Sequence, residues 1–160
     1  MGQRKVMPDV QTFSILVDTL CKEGMLTEAK KVFDVMIQRG TDPNIFTYNS
    51  LIDGYCLQNQ MDEAIKTFNM MVEKGCSPDV ISYNILINGY CKSKKIDEAK
   101  RLFHEMSNKG IIPNVVAYNT LIDGLSSGES PDCTRAIQYN ASLWPTSRSP
   151  NQCHLVRWIF

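Results

Sequence analysis

The sequence carries no excess of charge of either sign: 17 Lys and Arg balance 17 Asp and Glu among 160 residues, for a formal net charge of zero. A strongly basic protein grips phosphate indiscriminately by releasing counterions. Without that excess, any recognition of nucleic acid must come from local geometry. Histidine is scarce, and His104 and His154 do not belong to an H-x-E with C-x-x-C set of the kind that zinc deaminases use. His104 is expected on the surface. No catalytic residue, metal site or cofactor is predicted, and the chain is read as a non-enzyme. No apolar run approaches the length of a membrane span, so no membrane partner is expected. Met1 to Met7 lack the apolar core of a secretory signal and are too short for an Arg- and Ser-rich transit segment. Val6 stands where a myristoylation motif needs Ser or Thr.

The six cysteines contain no C-x-x-C pair and no histidine at zinc-ligand spacing. Cys21, Cys56 and Cys91 fall 35 residues apart instead. A cysteine recurring inside an apolar helical pattern acts as a small buried hydrophobe in a reducing compartment.

The same interval governs the rest of the chain. Pro8, Pro43, Pro78 and Pro113 are spaced by 35, and a constant period is the signature of repeat architecture. Counted from two residues after each proline, the units are Val10–Asn44, Ile45–Asp79 and Val80–Asn114. Residues 1–9 precede them as an extension. A partial fourth unit covers 115–125. Matching columns include Leu16/Leu51/Leu86/Leu121, Ala29/Ala64/Ala99, Phe33/Phe68/Phe103, Met36/Met71/Met106 and Gly40/Gly75/Gly110.

Within a unit the apolar spacing is helical. Tyr48, Leu51, Ile52 and Tyr55 stand at i, i+3, i+4 and i+7, and Met61, Ala64, Ile65, Phe68, Met71 and Val72 line a second helix. Asp62-Glu63 and Asp97-Glu98 place negative charge in that second helix's first turn, where the helix dipole favours it. Gly40, Gly75 and Gly110 supply a left-handed cap at its end, and a proline three residues later prevents continuation. Each unit is thus a helical hairpin too small to bury both faces alone. The predicted fold is all-α, an α-solenoid of stacked helix–turn–helix repeats. The Phe and Met stripes are assigned to packing.

The strings Phe46-Thr47-Tyr48-Asn49-Ser50-Leu51-Ile52-Asp53-Gly54-Tyr55-Cys56 and Met61-Asp62-Glu63-Ala64, with Pro78-Asp79 closing the unit, closely resemble the pentatricopeptide repeat family. They are similar to its pure 35-residue class and, in wording, to the restorer-of-fertility-like branch. The resemblance covers roughly Val10 to Leu125. It implies a module of a plant organelle factor, mitochondrial or plastid, that reads single-stranded RNA one base per repeat for RNA processing, stability or translation control.

Carried over residue by residue, the family's base-reading pair is the fifth and the last residue of each unit. Those pairs are Ser14 with Asn44, Asn49 with Asp79, and Asn84 with Asn114; Asn119 holds the fifth position of the partial unit. By the family's code they imply adenine, uracil and a pyrimidine with cytosine preferred, from 5′ to 3′. An Asn amide offers both donor and acceptor to a base edge. The second residues, Gln11, Phe46, Ile81 and Val116, are implied to pack on bases, with Phe46 alone offering an aromatic face. Lys22 and Lys92 match a lysine that approaches phosphate, and Leu57 departs from it.

Asn or Asp before a helix is also a common cap. Recurrence at two fixed columns, with variation limited to Asn, Asp and Ser, favours base reading over capping. A protein-binding tetratricopeptide array is the competing interpretation, but it predicts a 34-residue period and a W-x-x-L-G-x-x-Y pattern. A fragment too short to bind is another. Net charge runs from −1 (four basic, five acidic) through −3 (two, five) to +3 (six, three) along the three units. Lys92, Lys94 and Lys95 dominate the last figure and crowd the inter-helix turn.

After Leu125 the period is lost. Residues 126–160 form a divergent tail expected to be poorly ordered, as though a splice or frame change had replaced the end of a longer protein. The third unit would then stack on half a hairpin. Phe103 and Met106 are expected to be poorly covered, with marginal stability or self-association through the uncapped repeat.

Overall fold

The computed structural model describes residues 9–127, and all seven elements in that range are α-helices of 13 residues each. They are α1 (Val10–Lys22), α2 (Leu26–Gln38), α3 (Ile45–Leu57), α4 (Met61–Glu73), α5 (Val80–Lys92), α6 (Ile96–Asn108) and α7 (Val115–Ser127). The chain divides into two compact units, with α1–α4 in the first (Met1–Pro78) and α5–α7 in the second (Asp79–Phe160). Within each, a helical hairpin packs against the next odd-numbered helix, α1 and α2 against α3, and α5 and α6 against α7. This is α-solenoid stacking, as the period predicts.

The helix ends follow from residue chemistry. Asp9, Asn44 and Asp79 cap α1, α3 and α5, each side chain accepting from the N–H three residues on. The even-numbered helices have no side-chain cap and begin instead with acids in the first turn, Glu28, Asp62-Glu63 and Asp97-Glu98. Gly40, Gly75 and Gly110 end them in the left-handed region, at φ +72°, +79° and +77°. The following N–H closes back five residues, as in Thr41 to the Met36 carbonyl at 3.1 Å, which satisfies an otherwise orphaned acceptor.

A second left-handed column sits in the inter-helix turn: Gly24, Asn59 and Lys94, at φ +77°, +58° and +58°. No composition signal exposes it, because only one of the three is glycine.

The core of the first unit contains Val17, Ala29, Phe33, Met36, Tyr48, Leu51, Ile52, Ala64, Phe68 and Met71, all buried. Phe33 meets Tyr48 edge to face with ring centroids 5.4 Å apart. In the second unit Phe103 meets Tyr118 in the same way at 5.2 Å. Fully burying such a side chain contributes about 1.5–3 kcal/mol each.

Three sequence expectations are corrected. Leu16 is 44% exposed although Leu51 and Leu121, in its column, are 1% and 0%. Those two are covered by the preceding hairpin of their own unit, whereas α1 has no such neighbour among the described residues. Val72, placed on the buried face of α4, is exposed. Phe103 and Met106 are buried, not poorly covered, because the single helix α7 with Tyr118 suffices to close over them.

Asp9 belongs to the expected N-terminal extension and serves as the cap of α1; residues 1–8 lie outside the described range. Ser126 and Ser127, expected in the tail, finish α7; the expectation for the rest of the tail lies outside the described residues. Among the described residues no helix is long and apolar enough to cross a membrane.

Candidate nucleic-acid interface

The residues that open the odd-numbered helices gather the candidate site. In the first unit Asn44 Oδ1 accepts from the Thr47 N–H at 3.0 Å and from Thr47 Oγ1 at 2.9 Å. Ser14 Oγ lies 3.4 Å from the same oxygen, too far for a strong hydroxyl hydrogen bond. With the Thr47 hydroxyl proton given to Asn44, the Ser14 hydroxyl donates to Thr47 Oγ1, its closest contact, and lies 2.7 Å from the Val10 carbonyl. Ser14 is therefore 2% exposed, while Asn44 is open to solvent.

In the second unit the pair is wired differently. Asn84 Nδ2 donates to Asn114 Oδ1 at 3.1 Å, and the same oxygen accepts from the Ala117 N–H at 3.1 Å. Asn84 Oδ1 is buried and has no hydrogen-bond partner. Leaving a buried acceptor unpaired costs about 1–3 kcal/mol. Asn49 is buried in the first unit and half-buried Asp79 begins the second. Asp79 forms a reciprocal capping box with Ser82: its Oδ1 accepts from the Ser82 N–H at 2.9 Å, and its own N–H donates to Ser82 Oγ at 3.3 Å. Asn119 is exposed on α7.

The second residues of the odd-numbered helices are all exposed: Gln11, Phe46 at 49%, Ile81 at 54% and Val116 at 56%. An exposed large apolar side chain at the same helical position in three of the four helices is not a core residue displaced by chance. Lys22 and Lys92 end α1 and α5 and are exposed. Lys22 Nζ is 2.6 Å from Asp18 Oδ2, and that hydrogen bond holds its ammonium above the usual lysine range. Asp18 also accepts from Ser50 Oγ at 3.2 Å. Lys92 is in no ion pair among the described residues, so it is the more available of the two cations. Leu57, where that lysine column lapses, is exposed.

Three successive, overlapping stretches, residues 8–57, 43–92 and 78–127, match the PPR repeat family. The chain belongs to the PPR repeat family. Among solved structures it is similar to the pentatricopeptide repeat protein PPR10 from maize, with 39% identity and a TM-score of 0.72 over 78% of this chain and 18% of that one. PPR10 in complex with an 18-nt psaJ RNA element gives 38% identity and a TM-score of 0.75, over 83% of this chain and 20% of that one. This PPR chain thus spans about a fifth of the length of PPR10. The PPR domain of Arabidopsis thaliana protein-only RNase P 1, in complex with tRNA, shares the fold at 16% identity and a TM-score of 0.68, over 98% of this chain and 83% of that one. No curated protein matches the chain.

Two sets of residues in these PPR hairpins escape a reading of the sequence by motif. One is the hydroxyl column Thr12, Thr47 and Ser82, each donating to the capping side chain at 2.9–3.0 Å. Its 35-residue spacing is the signal that could have found it. The other is the close approach of odd-numbered helices at glycine: a Cβ on Gly54 would stand 2.9 Å from Cys21 Sγ, and one on Gly124 2.6 Å from Cys91 Sγ. Cys21 and Cys91 pack where Gly54 and Gly124 admit them. Among the described residues no group of three His, Cys, Asp or Glu could hold a metal ion.

Proposed function

We propose that this chain binds single-stranded RNA, one base per hairpin, through the pairs Ser14/Asn44, Asn49/Asp79 and Asn84/Asn114. Asn119 holds the fifth position of a further hairpin. The orphaned Asn84 Oδ1 carries the proposal, because a base edge supplies the N–H donor it lacks. By the family's code the pairs select adenine, uracil and a pyrimidine, cytosine preferred. Phe46, Ile81 and Val116, with Gln11, offer surfaces against base faces, as stacking platforms do in other single-strand binders. Lys92, and Lys22 less strongly, face the phosphates. The cellular setting implied by the resemblance is organelle RNA processing, in mitochondrion or chloroplast.

Stacking of three bases supplies about 1–3 kcal/mol each before ordering costs. Affinity for a three-base site is then weak, with a Kd of about 0.1 mM or above. Fluorescence anisotropy of short RNAs with an A-U-C core, against single-base variants, tests the proposal. A-U-C binds best, and Asn84→Ala removes discrimination at the third base. With two phosphate contacts on a single strand, log K falls against log salt with a slope of about −1.4. Equal binding to all sequences with a much steeper slope would mean a merely electrostatic contact. No binding at millimolar protein would leave a protein-interaction solenoid, or a fragment too short to bind.

A further inference from the structure

The third residue of the odd-numbered helices forms a column of its own: Thr12, Thr47, Ser82 and Ala117. The first three donate a hydroxyl to the oxygen that caps their own helix, Thr12 to Asp9 Oδ1 at 2.9 Å, Thr47 to Asn44 Oδ1 at 2.9 Å, Ser82 to Asp79 Oδ1 at 3.0 Å. Ala117 has no hydroxyl and gives Asn114 only its backbone N–H.

An amide oxygen has two lone pairs. At Asn44 both are taken by Thr47, through its N–H and its hydroxyl, and Ser14 stays at the longer 3.4 Å. At Asn114 one is taken by the Ala117 N–H and the other by Asn84 Nδ2. The hydroxyl and the fifth residue therefore compete for the same lone pair.

We infer that the third residue of each odd-numbered helix is a positioning residue that decides whether the fifth residue is tied to the capping oxygen. The consequence for base choice rests on the RNA-reading function proposed above. With Ala117, Asn84 is tied through its NH2, which fixes the amide's orientation and leaves Oδ1 as its remaining acceptor. With a hydroxyl at 117, Asn84 is released and can turn either its donor or its acceptor to a base. A tied amide discriminates; a released one tolerates.

The test uses the full chain with Ala117→Ser. The substitution fits the column, since Ser82 occupies the equivalent place and is itself fully buried. Thr47→Val is the reciprocal variant, which frees the Asn44 oxygen for Ser14. The first readout needs no RNA: NMR of the 15N-labelled chain follows the Asn84 side-chain NH2. Ala117→Ser should shift those signals to values of an exchanging, unbonded amide.

The second readout titrates RNAs with an A-U-N core in the four versions of N. The ratio of best to worst affinity at that base should fall about fivefold, the equivalent of one net hydrogen bond, with changes at the first two bases much smaller. Thr47→Val should leave Asn84 unmoved and sharpen discrimination at the first base. A folded Ala117→Ser chain with unchanged Asn84 amide signals overturns the inference, whether or not RNA binds. If the parent chain binds no RNA but the amide signals shift, the positioning role stands and the RNA-reading function fails.

Discussion

Gly54 on α3 is the contact on which the first unit's packing can be tested most directly. A Cβ at this position would lie 2.9 Å from Cys21 Sγ, 3.0 Å from Cys21 Cβ and 3.0 Å from Leu26 Cδ1. The Sγ could rotate aside, but the Cys21 Cβ is fixed to the backbone of α1. Gly54→Ala gains about 1 kcal/mol of helix propensity and incurs about 1–3 kcal/mol of overpacking. Net destabilisation of about 1 kcal/mol is expected, reported as a lower urea midpoint by circular dichroism. Cys21→Ala alone leaves a small cavity and costs about 1 kcal/mol. In the double variant the new methyl fills the space the sulfur left. The two changes should therefore couple favourably by about 1 kcal/mol, where independent sites add to within about 0.5 kcal/mol. If Gly54→Ala stabilises by the full propensity gain, or if the cycle is additive, the helices do not meet at this contact.

Two further perturbations follow from the backbone and from the buried Cys21 and half-buried Cys91 thiols. Lys94 holds a left-handed conformation at φ +58°, which costs a side chain with a Cβ about 1–2 kcal/mol. Lys94→Gly should raise the thermal midpoint by the equivalent of about 1 kcal/mol, and no change would mean the turn relaxes freely. Burial pushes the Cys21 and Cys91 thiols up to about 11, with Asp18 adding to the effect at Cys21 and Asp123 at Cys91. Tyr48, Tyr55 and Tyr83 are raised by burial too. Above pH 9 the unfolded chain releases thiol protons that the folded chain retains, so stability is intact below that value and declines towards pH 11. Urea midpoints at pH 8 and pH 10 should differ in that sense, and a higher midpoint at pH 10 would contradict the burial of these groups.

The helical hairpins were legible because their signals are local and repeated. Gly40, Gly75 and Gly110 with their prolines mark one boundary, and the Asp-Glu pairs mark another. Exposure was less legible, because a column average hides what covers each member. Leu16 shares its residue type and helical phase with Leu51 and Leu121 but not their neighbour. Phe103 erred the other way. Half a hairpin gives enough cover, since the one helix bearing Tyr118 meets the ring at 5.2 Å. Asn59 and Lys94 hid their left-handed turn because their residue types do not announce it. The wiring of the pairs depends on distances of a few tenths of an ångström, which no periodicity encodes.

The restriction of the last column to Asn and Asp has a simpler cause than base reading. Asp9, Asn44, Asp79 and Asn114 each accept the N–H three residues on, and capping alone favours these residue types by about 1 kcal/mol over alanine. Recurrence in that column therefore reports the fold. The fifth column is different, since Ser14, Asn49, Asn84 and Asn119 stand inside helices, where Ser and Asn are neutral to unfavourable. Ser14 is explained by its buried bonds to the Val10 carbonyl and Thr47. Asn84 is not explained by the fold, because packing and capping would be served as well by a residue that left no acceptor orphaned. The case for a ligand in the second unit thus rests on one oxygen atom of Asn84, held in place by the Asn114 oxygen that also begins α7. One oxygen both caps α7 and holds Asn84, so replacing Asn114 would loosen a helix end and the Asn84 amide together, whereas replacing Asn84 leaves the cap in place.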